Sequence, residues 1–529
     1  MTYKSDKIVI VGGGSAGWMS ASTLIRFFPN KDITLIESPN IPIVGVGEST
    51  LGFIRTWTAC LGIDEKDFMK HTNASYKLSI KFTDFYKKNS GGFHYPFGVP
   101  HFHQNAKFGL NDWAIKKVFY PDTSAQDYCR TYFPAMPLIE NNKINRNEGG
   151  EFGAFRFDND VAYHFDATMF GIWLRDKYAL PRGVKHIQSI VKNIITDDEG
   201  VSELILDNGD KITADLYIDC TGWKSMLLGE ALKEPFIPYD HIIPNNRAWA
   251  TQVPYIDKNE EIEPYTNCTA IDNGWVWNIP LWSRIGTGYV YSDRFISKED
   301  ALEQFKQHLR TRMTIPNAER ITDDLKFKDI EMRIGIHERP WVKNVVAIGL
   351  SCGFIEPLES NGLLTAHEFL LKLVKFLGRD TVNRWDQDSY NAGIRRYFHN
   401  FAEFVGLHYA LSVRNDTEYW REISKRSFCP EMVNQVPTLA VGFADMAYRK
   451  VQLQEFDNVG GIHCIANGMR YPIVDESVIA QWQHYNPHTN YKQYIDEMIP
   501  IWNKEQRQWK READDSPTVY EYLKNNIYN

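Results

Sequence analysis

The apolar run Lys7 to Val11 leads straight into Gly12-Gly13-Gly14-Ser15-Ala16-Gly17. No other stretch restricts the fold as tightly. Lys7 to Val11 reads as a buried parallel strand, Trp18 to Phe28 as a helix, and Ile33 to Ile36 as a second strand ending at Glu37. That is a βαβ unit with its glycines in the turn. The first glycine permits a tight turn, the second lets backbone approach a pyrophosphate, and the third lets the helix pack closely. The helix N-terminus then presents N–H groups and a positive dipole end to the phosphates. Glu37 falls 20 residues after Gly17, where an acid accepts from a ribose hydroxyl. The candidate dinucleotide-binding residues here are Gly12, Gly14, Ser15, Ala16, Gly17 and Glu37. A plain glycine turn is the competing reading, and it leaves the agreement of strand, helix, strand and acid unexplained.

Two later strands bear on which dinucleotide binds. Leu216 to Asp219 runs into Cys220-Thr221-Gly222, and Val345 to Ile348 runs into Gly349. Strands that return after long insertions suit an FAD-binding fold, whereas an NAD dehydrogenase continues with regular βα repeats. FAD is therefore expected, with Gly349 at a close backbone approach to the flavin. No second GxGxxG is present, so reduced flavin is expected to come from a separate NAD(P)H-dependent reductase.

Bulk properties exclude several function classes. The 529 residues allow a large core and more than one subdomain. Lys and Arg number 59 against 67 Asp and Glu, and a net charge of −8 offers no basic field for nucleic acid. No apolar run reaches the length of a membrane span, and Ile8 to Val11 is too short for a signal peptide. The seven cysteines are scattered and lack a C-x-x-C pair, which suits reduced thiols in a cytoplasmic location and argues against a zinc site. His101-Phe102-His103 read as loop histidines, so no metal site is expected. The sequence shows no internal repeat, and nothing in it sets an oligomeric state.

Three further motifs stand in order along the chain. Trp275-Val276-Trp277-Asn278-Ile279-Pro280 places two indoles on one face if extended. Glu356-Pro357-Leu358-Glu359-Ser360-Asn361-Gly362 precedes an apolar helix from about Asn361 to Leu377, ended by Gly378. Gly45-Val46-Gly47-Glu48-Ser49-Thr50 follows the second strand. With the glycine turn, these resemble the flavin-dependent halogenases (the tryptophan-halogenase-like family), whose signature is Trp-x-Trp-x-Ile-Pro. The resemblance covers residues 1 to about 420 and fades beyond.

The resemblance implies specific roles. Tyr76 to Phe82 is similar to the segment holding the family's catalytic lysine, and the match falls on Lys77 rather than Lys81. Spacing alone makes both surface lysines sharing a helix face within Asp64 to Lys87. Glu359 matches the catalytic glutamate and Ser360 the serine beside it; the bland readings are a residue favouring a helix N-terminus and its cap. Asn361 and Gly362 match the positions whose backbone N–H groups hold the halide. The family usually has Thr-Gly there, so Asn361 departs from the pattern, and pocket size and halide preference are expected to respond. Trp275, Trp277 and Pro280 match the wall that shields the flavin, and Gly47 and Glu48 the flavin-contacting strap. His164-Phe165-Asp166-Ala167, Phe404 to Tyr409 and Arg414 to Thr417 also look like family segments, without an assigned chemistry.

The expected fold is α/β: a Rossmann-like FAD-binding domain of 1–55, 150–225 and 325–380, a discontinuous substrate domain of 56–149 and 226–324, and a largely helical region of 381–529 over the substrate site. The expected activity is an FADH2-dependent halogenase. It uses O2 and chloride, bromide or iodide to make hypohalous acid and halogenates an electron-rich aromatic substrate. A flavin-dependent hydroxylase shares the fold but needs no halide. Gly349-Leu350-Ser351-Cys352-Gly353 also fits G-x-S-x-G, a hydrolase elbow, although Pro357 falls where the elbow's helix should be continuing.

Overall fold

The βαβ unit forms as the pattern requires. Lys7–Val11 pairs in parallel with Asp32–Glu37, and the helix between them spans Ser15–Phe27, starting three residues before the expected Trp18. This computed structural model describes residues 2–40, 48–146, 155–312, 322–379, 381–425 and 459–529. The unit anchors a six-stranded sheet in the order Trp341–Val342, Val345–Ala347, Leu216–Asp219, Lys7–Val11, Asp32–Glu37, Lys185–Gln188. All neighbours are parallel except the edge pair Trp341–Val342 and Val345–Ala347. The inner strands, far apart in sequence, meet because they are apolar on both faces, as parallel strands buried on both sides require, whereas the edge strand Lys185–Gln188 is polar and partly exposed.

A second, seven-stranded sheet runs Lys328–Glu331, Arg247–Val253, Ile285–Tyr291, Gly274–Pro280, Tyr265–Ile271, Ser79–Thr83, Gly92–Pro96. It is antiparallel apart from the pair Tyr265–Ile271 and Ser79–Thr83. A small sheet joins Glu48–Ser49, Ala162–Phe165 and Ser75–Lys77. It links the chain after the second Rossmann strand to the segment holding Lys77 through the central strand Ala162–Phe165.

This last arrangement corrects the expectation of helix around Lys77. Glu65–His71 is helical, but Ser75–Lys77 and Ser79–Thr83 are strands. A spacing of four fits a strand as well as a helix, because period-two alternation also places such residues on one face. Tertiary pairing decides: Ser75, Tyr76 and Lys77 pair with His164, Tyr163 and Ala162. Lys77 is fully buried, whereas Lys81 is partly exposed.

The C-terminal part is largely helical. Arg384–Ala410 is a 27-residue helix with an Asn383–Asp386 capping box. Val459–Gly468, Glu476–Tyr485 and Tyr491–Asp514 follow. Tyr491, Tyr494, Ile495, Met498 and Trp502 form a separate small core with Ala114 and Ile115. Among the described residues no helix is long and apolar enough to cross a membrane, and no group of three or more His, Cys, Asp or Glu could hold a metal ion.

Candidate active site

The glycines of the first turn are each required for a different reason. Gly12 has φ +112°, and a Cβ there would lie 2.2 Å from the carbonyl oxygen of Cys220. A Cβ on Gly17 would stand 1.9 Å from the carbonyl oxygen of Gly12, so the helix packs hard on the turn. Gly14 differs: a Cβ there meets no protein atom within 4 Å. The turn is therefore open where a diphosphate would lie, and the helix begins at Ser15 without a side-chain cap. Glu37 reaches back over the turn, its carboxylate overlapping the space a Gly13 side chain would need. It accepts from His186 Nε2 at 2.7 Å. Gly349 has φ +70° and packs on Ala16, so that a Cβ on it would stand only 2.7 Å from the Ala16 methyl. These residues fit an FAD: uncapped donors, an open cradle and an acid at the ribose end.

Gly349–Ser351 is a single 3-10 turn, and the chain extends again at Gly353–Phe354. The helix that a hydrolase elbow needs directly after its serine is replaced by a strand. Ser351 Oγ is buried without a hydrogen-bond partner. The G-x-S-x-G run therefore does not form a nucleophile elbow, and Gly349 instead packs against Ala16 of the first helix.

Glu359 and Ser360 occupy a strained turn. Their φ values are +66° and +57°, so two successive residues with side chains adopt the left-handed region. Each such residue costs on the order of 1 kcal/mol or more, and strain of this kind gathers at functional sites. The side chain of Asn361 holds the turn, its Nδ2 donating to the carbonyls of Glu356 at 2.5 Å and Leu358 at 3.0 Å. Asn361 therefore does not cap the helix Gly362–Leu377, whose first N–H groups stay open to an anion. Ser360 does not cap it either, because its hydroxyl is engaged elsewhere. Glu48 approaches the same end, with its Oε2 3.6 Å from where a Gly362 Cβ would stand. Burial, helped by Asp166, pushes the Glu48 carboxyl up to about 7. Gly47 lies outside the described residues.

Lys77 enters this turn from the small sheet. Its Nζ donates to Ser360 Oγ at 2.8 Å and to the carbonyl of Thr50 at 2.9 Å. The Phe97 ring centroid lies 5.0 Å from the ammonium. Burial lowers the Lys77 ammonium from its ordinary 10.5 to about 7, and the Glu359 carboxylate opposes that drop. Both Glu359 oxygens are buried and receive no hydrogen bond. Nε2 of His408 lies 3.0 Å from Glu359 Oε1, but out of line for a hydrogen bond. A buried carboxylate without a donor is costly, so folding alone does not account for it.

The double tryptophan lies on the strand Gly274–Pro280, buried along its whole length. The Trp275 and Trp277 ring centroids are 6.1 Å apart, so both indoles share one side as the extended pattern requires. Gly288 opposes Trp277 in the next strand, and a Cβ there would lie 2.2 Å from the indole. The ring therefore occupies space that only glycine leaves. Pro280 ends the strand, and its carbonyl accepts from Ser75 Oγ at 2.5 Å.

The sequence matches known proteins over most of its length. A sequence model of the tryptophan halogenase family matches residues 7–472. The chain belongs to the tryptophan halogenase family. Tryptophan 6-halogenase SttH of Streptomyces toxytricini is 34% identical over 479 residues, covering 87% of this chain and 86% of that one. Tryptophan 7-halogenase RebH of Lentzea aerocolonigenes is 34% identical over 462 residues, covering 84% and 83%. Among solved structures, apo VirX1 superposes with a TM-score of 0.88 at 38% identity, covering 99% of this chain and all of that one. The SttH crystal structure superposes with a TM-score of 0.84 at 32% identity, covering 98% and 99%. This halogenase is accordingly a flavin-dependent enzyme that uses FAD and a halide. The hydroxylase and hydrolase readings fall with that membership.

Sequence reasoning missed Ser49, Thr50, Thr266 and His164 as parts of the lysine's surroundings. Ser49 and His164 lay in stretches already marked by resemblance. Thr266 carried no signal, because its place depends on strand register alone.

Proposed function

We propose that this halogenase installs a halogen on an electron-rich aromatic ring through Lys77, with Glu359 beside it. The observation that carries the reading is a fully buried lysine hydrogen-bonded to Ser360, in a turn strained at Glu359 and Ser360. Bound as FADH2 from a separate flavin reductase, the cofactor supplies with O2 the oxidation of halide to hypohalous acid. Backbone N–H groups at Asn361 and Gly362 hold the halide at the open helix end. Trp275, Trp277 and Pro280 keep the aromatic substrate away from the flavin side, which favours halogenation over oxygen transfer. Gly12, Gly14, Ser15, Ala16, Gly17, Glu37, Glu48 and Gly349 are assigned to the cofactor, and Gly47, which lies outside the described residues, is assigned with them from the family resemblance alone.

Lys77 receives the hypohalous acid. Its neutral amine attacks the halogen, forming N–X as O–X breaks, and the amine proton leaves with hydroxide as water. The N-halogen is then held against one carbon of the substrate, where confinement supplies orientation and excludes competing reactions. Glu359 stabilises the cationic ring intermediate and takes its proton.

The flavin part is assigned to 1–55, 150–225 and 325–380, because all six strands of the parallel sheet fall within them. The substrate part is assigned to 56–149 and 226–324. Residues 381–529 are assigned to the cover of the substrate site, because the helix Arg384–Ala410 brings His408 to Glu359. Scattered thiols support a reducing, cytoplasmic location.

The test is turnover with FAD, an external reductase, NADH and air, on a panel of electron-rich aromatics that includes tryptophan. Mass spectrometry should find a halogenated product that requires halide. A halide-independent gain of one oxygen would instead support hydroxylation.

A further inference from the structure

A file of buried hydrogen bonds leads away from Lys77. Ser360 Oγ accepts from Lys77 Nζ at 2.8 Å and donates to Ser49 Oγ at 3.0 Å. Ser49 Oγ lies 2.6 Å from Thr266 Oγ1, which lies 2.9 Å from His164 Nε2. On the far side, His164 Nδ1 lies 3.2 Å from Ser75 Oγ, which donates to the carbonyl of Pro280. Every side chain in the file is buried. Several separate segments contribute, and no member belongs to the glycine turn or the tryptophan wall except through the Pro280 carbonyl.

The two ends fix every proton. An ammonium only donates, so Ser360 must pass its own hydrogen to Ser49, Ser49 to Thr266, and Thr266 to His164 Nε2. A carbonyl only accepts, so Ser75 points at Pro280 and must accept from His164 Nδ1–H. His164 is therefore neutral, with a bare Nε2 closing the file. One alternative satisfies the same contacts equally well. If Lys77 gives its proton to Ser360 and each hydroxyl hands one on, His164 becomes an imidazolium. All three hydroxyls then reverse, and Ser360 donates to the lysine amine. No bond is lost in either state, and the Ser75–Pro280 end is unchanged.

We propose that His164 is the proton reservoir for Lys77, reached through Ser360, Ser49 and Thr266. This rests on the assignment of Lys77 as the halogen carrier. In the forward direction the ammonium sheds one proton to His164 Nε2, leaving an amine whose lone pair, turned about Cε–Nζ, can take the halogen. In the return direction the aromatic carbon attacks the halogen, C–X forms and N–X breaks. The proton on His164 runs back to the nitrogen, so the lysine leaves as an amine rather than an anion. Glu359 takes the proton lost from carbon. No oxidant is consumed in these steps beyond the hypohalous acid itself. Burial first, and the positive charge of Lys77 second, hold the imidazole neutral while the lysine is protonated, and the second cause is relieved when the lysine gives up its proton.

The test compares Thr266→Val, which removes one hydroxyl from the file, with Thr266→Ser, which keeps it. The readout is halogenated arene formed per hypohalous acid generated, with leaked acid captured by a soluble trap, measured in H2O and D2O. Thr266→Val should lower that yield at least about tenfold, the low end of what positioned proton transfer contributes to a rate. It should also change the solvent isotope effect, and Thr266→Ser should restore both. His164→Gln, which can accept the hydrogen bond but cannot store the proton, should behave as Thr266→Val. Wild-type yield and isotope effect in Thr266→Val and His164→Gln would overturn the reservoir. Full halogenation by Lys77→Met would instead overturn the lysine assignment, so the two failures are told apart.

Discussion

With Lys77 as the proposed halogen carrier, its burial makes halogen transfer depend on pH in a predictable direction. The ammonium has its pKa lowered from 10.5 to about 7 because it lies out of water, and only a neutral amine attacks the halogen. Below that value the charged form dominates; above it the amine does. For a simple titration centred near 7, the neutral share is about one eleventh at pH 6 and about ten elevenths at pH 8, a rise of about tenfold. An exposed lysine would stay over 99% charged, roughly, across the same range. The assay must separate this step from flavin chemistry. It therefore measures halogenated product against trapped hypohalous acid, between pH 6 and 8.5, at saturating substrate. The product share should rise with pH to a plateau above about 8. A share that is flat, or still climbing tenfold per pH unit at 8.5, would refute the claim that burial sets the lysine's charge.

Three further outcomes follow from the same geometry. Glu359→Gln removes the charge that favours the ammonium, so the rise should move to lower pH while product falls at least about tenfold and FAD affinity stays unchanged; fluorescence titration of FAD and the pH profile check both. Gly14→Ala adds a methyl group where no protein atom stands within 4 Å, so thermal unfolding should change little, within about 1 kcal/mol, while FAD Kd weakens by about tenfold or more. Asn361→Ala frees the carbonyls of Glu356 and Leu358, at a cost of about 1–3 kcal/mol, and loosens the halide end; the KM for halide should rise more than the KM for the aromatic substrate.

How far the sequence led can be judged residue by residue. The glycine turn was legible because each glycine obeys a local steric rule, as the collisions at Gly12 and Gly17 show. The helix after Asn361 was legible from its apolar period and Gly378. Lys77 was not legible from spacing, since the same interval fits a helix face and a strand face. Its burial comes from pairing with Ala162, which lies 85 residues away in the chain. The paired positive φ values at Glu359 and Ser360 leave no trace in composition. Glycine would relieve that strain, but nothing in the sequence marks positions 359 and 360 as needing a positive φ. The file from Lys77 to His164 draws on residues 49, 77, 164, 266 and 360. Only strand register and the turn bring them together, so no motif could contain them.

The most direct test of the account is mass spectrometry of parallel turnover mixtures of wild type and Lys77→Ala, each with FAD bound to the same occupancy. Chloride, bromide and iodide go in separate tubes, with catalase present and free hypohalous acid trapped. A halogenated arene should form from wild type only, with trapped hypohalous acid appearing in both. A halogenated arene formed at full yield by Lys77→Ala, with the trap in place, would contradict it.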